Sequence, residues 1–343
     1  MHTADDSYRP DIDGLRAVAG LAVVAFHAFP QWLPGGYAGV DVFFVISGYL
    51  ISTQLMSEAA GGALSFSGFY ARRIRRIFPA LIVVLVTVAV AGWFLLLPPE
   101  WEELRRHLGA STIFANNILL WSEAGYFDTA SELKPLLHLW SLGVEEQFYL
   151  IWPLLIWWCA RRGVRWTPAI AAVIVISFAL NVAAVTSGNT ATAFFLPHTR
   201  LWQLAAGALL ASLARDGLRV GSRLATALSI AGVFLILLTF VALTRGRDHA
   251  YPGWWALAPT LGSVLVIAAG RAAALNRAWL SLRPMVAVGL ISYPLYLWHW
   301  PILSFLRITE HGEVSPRLIA AAIVVSVFLA SCTYLLLERP VRR

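Results

Sequence analysis

Residues 9–52 read RPDIDGLRAVAGLAVVAFHAFPQWLPGGYAGVDVFFVISGYLIS. Two apolar runs flank a turn rich in proline and glycine, and each run approaches the length of about 20 residues that a helix needs to cross a bilayer. Asp13, Arg16, His27 and Asp41 interrupt these runs. Ionisable side chains at membrane depth are costly and mark function by default. On a helix, Arg16 and His27 fall about 20° apart on one face and roughly 16 Å apart along the axis. Asp13 joins that stripe as the i,i+3 neighbour of Arg16. The stripe suits a long anionic molecule, its charged head at Arg16 and its reactive end near His27. The bland alternative is a snorkelling Arg16 and a His27 bonded to a neighbouring carbonyl. An imidazole titrates at about pH 6.5 when unperturbed, so small shifts make it a base or a cation.

The rest of the composition agrees with a membrane chain. Of 343 residues 59% are hydrophobic and only 13% charged, which a soluble domain does not show. A net charge of +7 invites a nucleic-acid reading, but the arginines sit in short loops between apolar runs, so no nucleic-acid partner is expected. Cys159 and Cys332 both lie in apolar runs, which supports neither a disulfide framework nor a cysteine metal site; no metal is expected. The first apolar run is not followed by an A-x-A cleavage pattern and reads as an uncleaved signal anchor.

Hydropathy predicts ten spans, at roughly 12–30, 38–57, 79–97, 138–160, 167–186, 200–214, 224–243, 254–270, 285–306 and 317–337. All should be helices, because an open strand cannot satisfy its backbone in lipid. Arginine clusters at 72–76, 161–165, 215–223, 271–283 and 339–343 alternate with the spans so that both termini are expected in the cytoplasm. The expected fold is therefore all-α: a polytopic membrane helix bundle forming one domain over residues 1–343. Residues 1–11 would be a cytoplasmic N-terminus, and 98–137 the longest outer loop. That loop reads as an amphipathic surface helix followed by a short apolar piece, a candidate acceptor-facing surface.

Further chemistry-bearing residues sit at three places. Arg73 and Arg76 are spaced i,i+3, with Arg72 and Arg75 beside them and Pro79 expected to start the next helix. They serve either positive-inside topology alone or a phosphate clamp, since guanidinium forks match phosphate oxygens. The fourth span opens with HLWSLGVEEQFYLIW, which aligns His138, Ser141, Glu145 and Tyr149 on one face and turns Glu146 about 100° away. A double carboxylate entering a membrane helix points to function, although Glu145 has a structural alternative in pairing with Arg200. Arg200 itself stands where snorkelling is the default, and Gly207 suits close helix packing. The ninth span, GLISYPLYLWHWPIL, puts Ser292, Tyr296 and His299 on one face, and Pro294 and Pro301 are expected to kink the helix and free backbone carbonyls. The alternative there is an aromatic belt with one interfacial histidine.

Taken together, RPDIDGLRAVAGLAVVAFH, GVDVFFVISGYLI, FYARRIRRIFPAL, LKPLLHLWSLGVEEQFYLIWP, RLWQLAAG, ISYPLYLWHWP and the closing ERP resemble the acyltransferase family 3 membrane proteins, bacterial O-acyltransferases of surface glycans and some small molecules. The family's R-x10-H motif falls on Arg16 and His27, and its R-x-x-R motif on Arg73 and Arg76. The resemblance implies acetyl-CoA as donor, entering from the cytoplasm across a bacterial inner membrane. The acceptor it implies is a cell-surface carbohydrate such as lipopolysaccharide O-antigen or another polysaccharide. Arg16, Arg72, Arg73, Arg75 and Arg76 would bind the donor; His27, with Glu145 or Glu146, would be catalytic. Asp41, His138, Ser141, Tyr296 and His299 are the candidate substrate-binding residues. The motifs resemble most the subgroup in which an outer SGNH-type hydrolase-like domain follows the bundle, and residues 1–343 carry no such block. A stand-alone member and the membrane module of a longer chain are both consistent with this, and an SGNH-type domain in cis or trans is an expected partner beside the bilayer and the glycan. The rivals are a flippase for a lipid-linked glycan, an acyltransferase acting on a small molecule such as a macrolide, and a purely structural scaffold.

Overall fold

The computed structural model describes residues 8–124, 130–243, 250–311 and 314–341. Arg342 and Arg343 of the last arginine cluster, most of the expected N-terminal segment and part of the 98–137 loop lie outside the described residues. Within them every regular element is helical. The long helices are α1 (Pro10–Ala28), α2 (Gly39–Ala60) and α3 (Phe66–Leu95). The short α4 (Pro98–Thr112) and α5 (Asn116–Glu123) precede α6 (Trp140–Arg162) and α7 (Trp166–Thr186). Then follow α8 (Thr190–Phe195), α9 (Pro197–Arg215), α10 (Ser222–Ala242), α11 (Leu257–Ala269), α12 (Arg283–Leu290), α13 (Ser292–Thr309) and α14 (Pro316–Thr333).

Among the described residues six helices are long and apolar enough to cross a membrane, and a seventh span results if the bent pair α12–α13 counts as one. Phe94, Val175, Phe234, Val324, Phe328 and Leu336 face outwards from this set. A continuous apolar exterior of that kind belongs in lipid, so this is a multi-span membrane protein. Helices α1, α6 and α9 are also long, with 19, 23 and 19 residues, but carry charged side chains into the interior of the bundle. Their polarity reflects what they enclose.

Helices α2 and α9 pack closely against each other. A Cβ on Gly48 would stand 1.8 Å from the Leu204 carbonyl oxygen, and one on Gly207 2.0 Å from that of Val45. Only glycine allows this approach from both sides.

One expected helix boundary moves, and one expected kink is a full break. The helix placed at Pro79 begins at Phe66, where the Ser65 hydroxyl accepts the Gly68 N–H at 3.1 Å and caps it. FYARRIRRI contains no helix breaker, and Pro79 is carried inside α3 at the cost of one backbone bond. The arginine cluster is thus helical. The ninth span is two helices bent by 62° at Ile291. Pro294 has no N–H for the Leu290 carbonyl, which is where the helix breaks.

The segment between α3 and α6 is clasped by a polar hub. His107 Nδ1 meets Asn116 Oδ1 at 2.9 Å and Nε2 meets Glu123 Oε2 at 3.0 Å. The Lys134 ammonium donates to the same Glu123 oxygen at 3.0 Å. Asn116 Nδ2 donates to the Leu136 carbonyl and Trp300 Nε1 to that of Lys134, both at 2.8 Å. These bonds tie residues 134–136, and with them His138, to α13. Glu103, His107 and Glu123 bring ligand atoms within 4.8 Å of one another, but Lys134 already supplies a cation there.

Candidate functional site

The site residues line two chambers of the bundle among the described residues. The first encloses about 80 Å³ and is lined by Arg16 of α1, Ser47 of α2, Arg73 and Arg76 of α3, Glu145 and Tyr149 of α6, and Ser292 and Tyr293 of the α12–α13 corner. The second encloses about 430 Å³. Its walls include His27, His138, Trp140, Arg200, Tyr251, Trp300 and Arg307, with Glu132 from the α5–α6 connection. Val40 and Tyr296 belong to both chambers.

In the arginine chamber, helical spacing places Arg73 and Arg76 on one face of α3. Arg73 lies 5.8 Å from the Phe69 ring centroid, and its buried Nε has no hydrogen bond. Arg16 pairs with Asp13 at 3.5 Å, and Asp13 also accepts the Tyr8 hydroxyl at 2.7 Å. Ser47 donates to Glu145, on which Arg76 and Arg16 act electrostatically. Glu146 lies outside the lining; it feels Arg73 and Arg76, and its buried Oε1 has no hydrogen bond. Arg72 and Arg75 are exposed, and Arg72 is paired with Glu58 at 2.5 Å. The structure therefore separates the cluster of four into an inward pair and an outward pair.

In the histidine chamber, His27 is the penultimate residue of α1, in its last turn. Its Nδ1 stands 2.9 Å from Nε2 of His299, with ring planes 15° apart and centroids separated by 5.2 Å. Nδ1 of His299 faces the Leu295 carbonyl oxygen at 3.0 Å. The His27 ring packs 4.3 Å from that of Trp300, and the Arg307 guanidinium donates to the His27 carbonyl while lying 5.7 Å from the Trp300 ring. His138 stands nearly perpendicular to His299, and neither of its ring nitrogens has a hydrogen bond. The Tyr296 hydroxyl donates to the His138 carbonyl and so accepts from Ser141, 2.7 Å away.

The expected ninth-span face thus divides. Ser292 lines the arginine chamber, His299 meets His27, and Tyr296 stands between. The meeting of His27 with His299 joins residues 272 positions apart, and no local pattern signals it. Arg200 differs from both readings of its sequence. It is buried, 3.4 Å from Asp41, and boxed by the rings of Phe44, Trp140, Phe194 and Tyr251 at 5.3–5.8 Å. Tyr251 donates to the other Asp41 oxygen. Asp41 lines neither chamber and holds Arg200, which does.

A family profile described as "Acyltransferase domain" matches residues 9–336. O-acetyltransferase OatA of Staphylococcus aureus (strain NCTC 8325 / PS 47) is 30% identical over 98% of the chain, which covers 57% of that protein. Peptidoglycan O-acetyltransferase OatA of Listeria monocytogenes serovar 1/2a is 32% identical over 98% of the chain and 56% of its own length. The chain thus spans a little over half the length of these relatives. No solved structure matches it. With almost all of its helical bundle inside the matched region, the chain belongs to the acyltransferase 3 family.

Proposed function

We propose that this protein transfers an acetyl group from acetyl-CoA to a hydroxyl of a cell-envelope glycan. The name of the Listeria monocytogenes relative favours peptidoglycan over the lipopolysaccharide O-antigen. The observation that carries the reading is the pair of chambers meeting at Tyr296, one with inward arginines and the other with His27. Acetyl-CoA would supply an acetyl group activated as a thioester. The arginine chamber suits it: Arg16, Arg73 and Arg76 offer forks for phosphate oxygens, and the buried Nε of Arg73 is a donor without a partner. In this orientation the arginine chamber opens to the cytoplasm of an inner-membrane bundle of ten spans with both termini inside.

His27 would act as general base. It would take the acceptor hydroxyl proton as the oxygen bonds to the acetyl carbon and the carbon–sulfur bond breaks, then return that proton to the departing sulfur. Glu145 would hold the arginines in place; Tyr296, His138 and Ser141 would shape the passage between the chambers; Arg200 and Arg307 would border the acceptor. The aromatic walls of the histidine chamber suit a sugar ring, which has an apolar face and a polar rim.

The test supplies acetyl-labelled acetyl-CoA and peptidoglycan fragments to the protein in nanodiscs, with His27→Ala as comparison. CoA release that falls about 10²- to 10⁴-fold in a folded His27→Ala variant is the expected result. Release that persists there removes His27 from the chemistry. Absence of donor binding in the intact chain, with glycan translocation instead, favours a transporter. Release only when an SGNH-type domain is added makes that domain a required partner.

A further inference from the structure

The two bonded imidazoles determine each other's protons. The Leu295 carbonyl oxygen can only accept, so the nitrogen of His299 that faces it at 3.0 Å, Nδ1, carries a hydrogen. His299 is fully buried, and no carboxylate is bonded to it among the described residues. A charged ring in that setting is costly, so the ring is neutral and its Nε2 keeps a lone pair. That lone pair faces Nδ1 of His27 at 2.9 Å. Rings 15° from coplanar with centroids 5.2 Å apart lie edge to edge, the arrangement of an in-plane N–H···N bond. Since one partner brings the lone pair, Nδ1 of His27 must bring the hydrogen. Nε2 of His27 is then unprotonated. It has no hydrogen bond to any described residue, and its ring lines the histidine chamber.

We propose that His299 is a positioning residue: by accepting the Nδ1 proton of His27 it selects the tautomer in which Nε2 of His27 is the base. The proposal rests on His27 being the base in acetyl transfer. It gives the His27–His299 contact a direction. The chain of bonds runs from His27 through His299 to the Leu295 carbonyl and contains no carboxylate. The carbonyl orients His299, and His299 orients His27, in the way the carboxylate of a hydrolase triad orients its histidine. In such a triad, presenting the wrong tautomer lowers kcat about 10⁴-fold with the geometry intact. Trp300 packs against the His27 ring and Arg307 bonds the His27 carbonyl, so the ring and backbone of His27 also have supports that do not depend on His299.

The experiment is nitrogen-15 NMR of histidine-labelled protein in nanodiscs, with His27 assigned by loss of its signals in His27→Ala. It is paired with kcat and KM for acetyl transfer. The intact protein is expected to show His27 protonated at Nδ1 and bare at Nε2. His299→Leu has no acceptor; it should move the proton of His27 towards Nε2 and lower kcat about 10²- to 10⁴-fold with KM little changed. His299→Gln offers an amide oxygen and should keep both the Nδ1–H tautomer and most of kcat. A His27 protonated at Nε2 in the intact protein overturns the proposal, whether or not any variant folds. So does a folded His299→Leu variant that keeps the original tautomer. If the tautomer follows His299 as described but the intact chain transfers no acetyl group, the coupling of the imidazoles stands and the acetyltransferase reading falls.

Discussion

The hydroxyl of Tyr296 donates to the carbonyl of His138, and the tyrosine ring so tethered is a wall of both chambers. Tyr296→Phe should keep the ring but leave the buried Ser141 hydroxyl without its partner, costing about 1–3 kcal/mol. Tyr296→Ala should join the chambers. The expected signature is CoA release that no longer depends on acceptor, because water reaches the thioester. Release that stays strictly acceptor-dependent in Tyr296→Ala would show that another residue separates the chambers.

The arginine cluster should act as two pairs. Arg73→Ala and Arg76→Ala each remove a charged hydrogen-bond donor from the chamber. At about 1.5–3 kcal/mol per bond, KM for acetyl-CoA should rise roughly 10- to 150-fold. Arg72→Ala loses only a partly exposed pair with Glu58, and Arg75→Ala an exposed side chain; both should leave KM near that of the intact protein. Dephospho-CoA derivatives would report which phosphate each inward arginine meets.

Asp41 and Arg200 should be costly to separate. Asp41→Asn leaves a buried guanidinium without its counter-charge, a loss of about 3–5 kcal/mol. Asp41→Asn combined with Arg200→Met should cost less than the two changes added together, because no unpaired charge remains. Thermal melting in detergent gives the cycle, and strict additivity would contradict the pairing.

Glycine substitutions should differ in sign. Gly207→Ala drives a methyl group against the Val45 carbonyl and should destabilise by at least about 1–3 kcal/mol. Gly109→Ala, with open space around it in α4, should stabilise by about 0.5–1 kcal/mol. Melting temperatures in the same detergent decide both.

The α4–α5 hub should loosen in acid. Burial alone would raise the carboxyl of Glu123, but the bond from Lys134 and the charges of His107, Lys134 and Arg106 outweigh it and hold the group below its ordinary value of 4.5. A carboxyl depressed in the folded state contributes stability above its unfolded value, and that contribution is lost as pH falls through the folded value. Proteolysis or hydrogen exchange of residues 98–123 should therefore accelerate below about pH 4.5 in the intact protein. Glu123→Gln should already be fast at neutral pH and show no such step.

Hydropathy and helix periodicity are local, and what depends on them was legible. The helical class follows because lipid offers the backbone no partners. The i,i+3 match of Arg73 and Arg76 follows from 3.6 residues per turn, and the small residue at 207 suits close helix packing. The shared face read for Ser292, Tyr296 and His299 did not survive intact, since Ser292 lines the arginine chamber and His299 meets His27. The placing of Arg16 and His27 on one helix, far enough apart to serve different chambers, also follows from helix geometry. Family motifs then attached chemistry to these positions.

What joins distant elements was decided only by packing. Periodicity says which way a side chain leaves its own helix, not what it meets. Arg200 was drawn inward because Asp41 and four aromatic rings offered a buried guanidinium a counter-charge and π faces. His27 and His299 come from opposite ends of the chain. Their protons are settled by one carbonyl, that of Leu295, which no spacing in the sequence connects to His27.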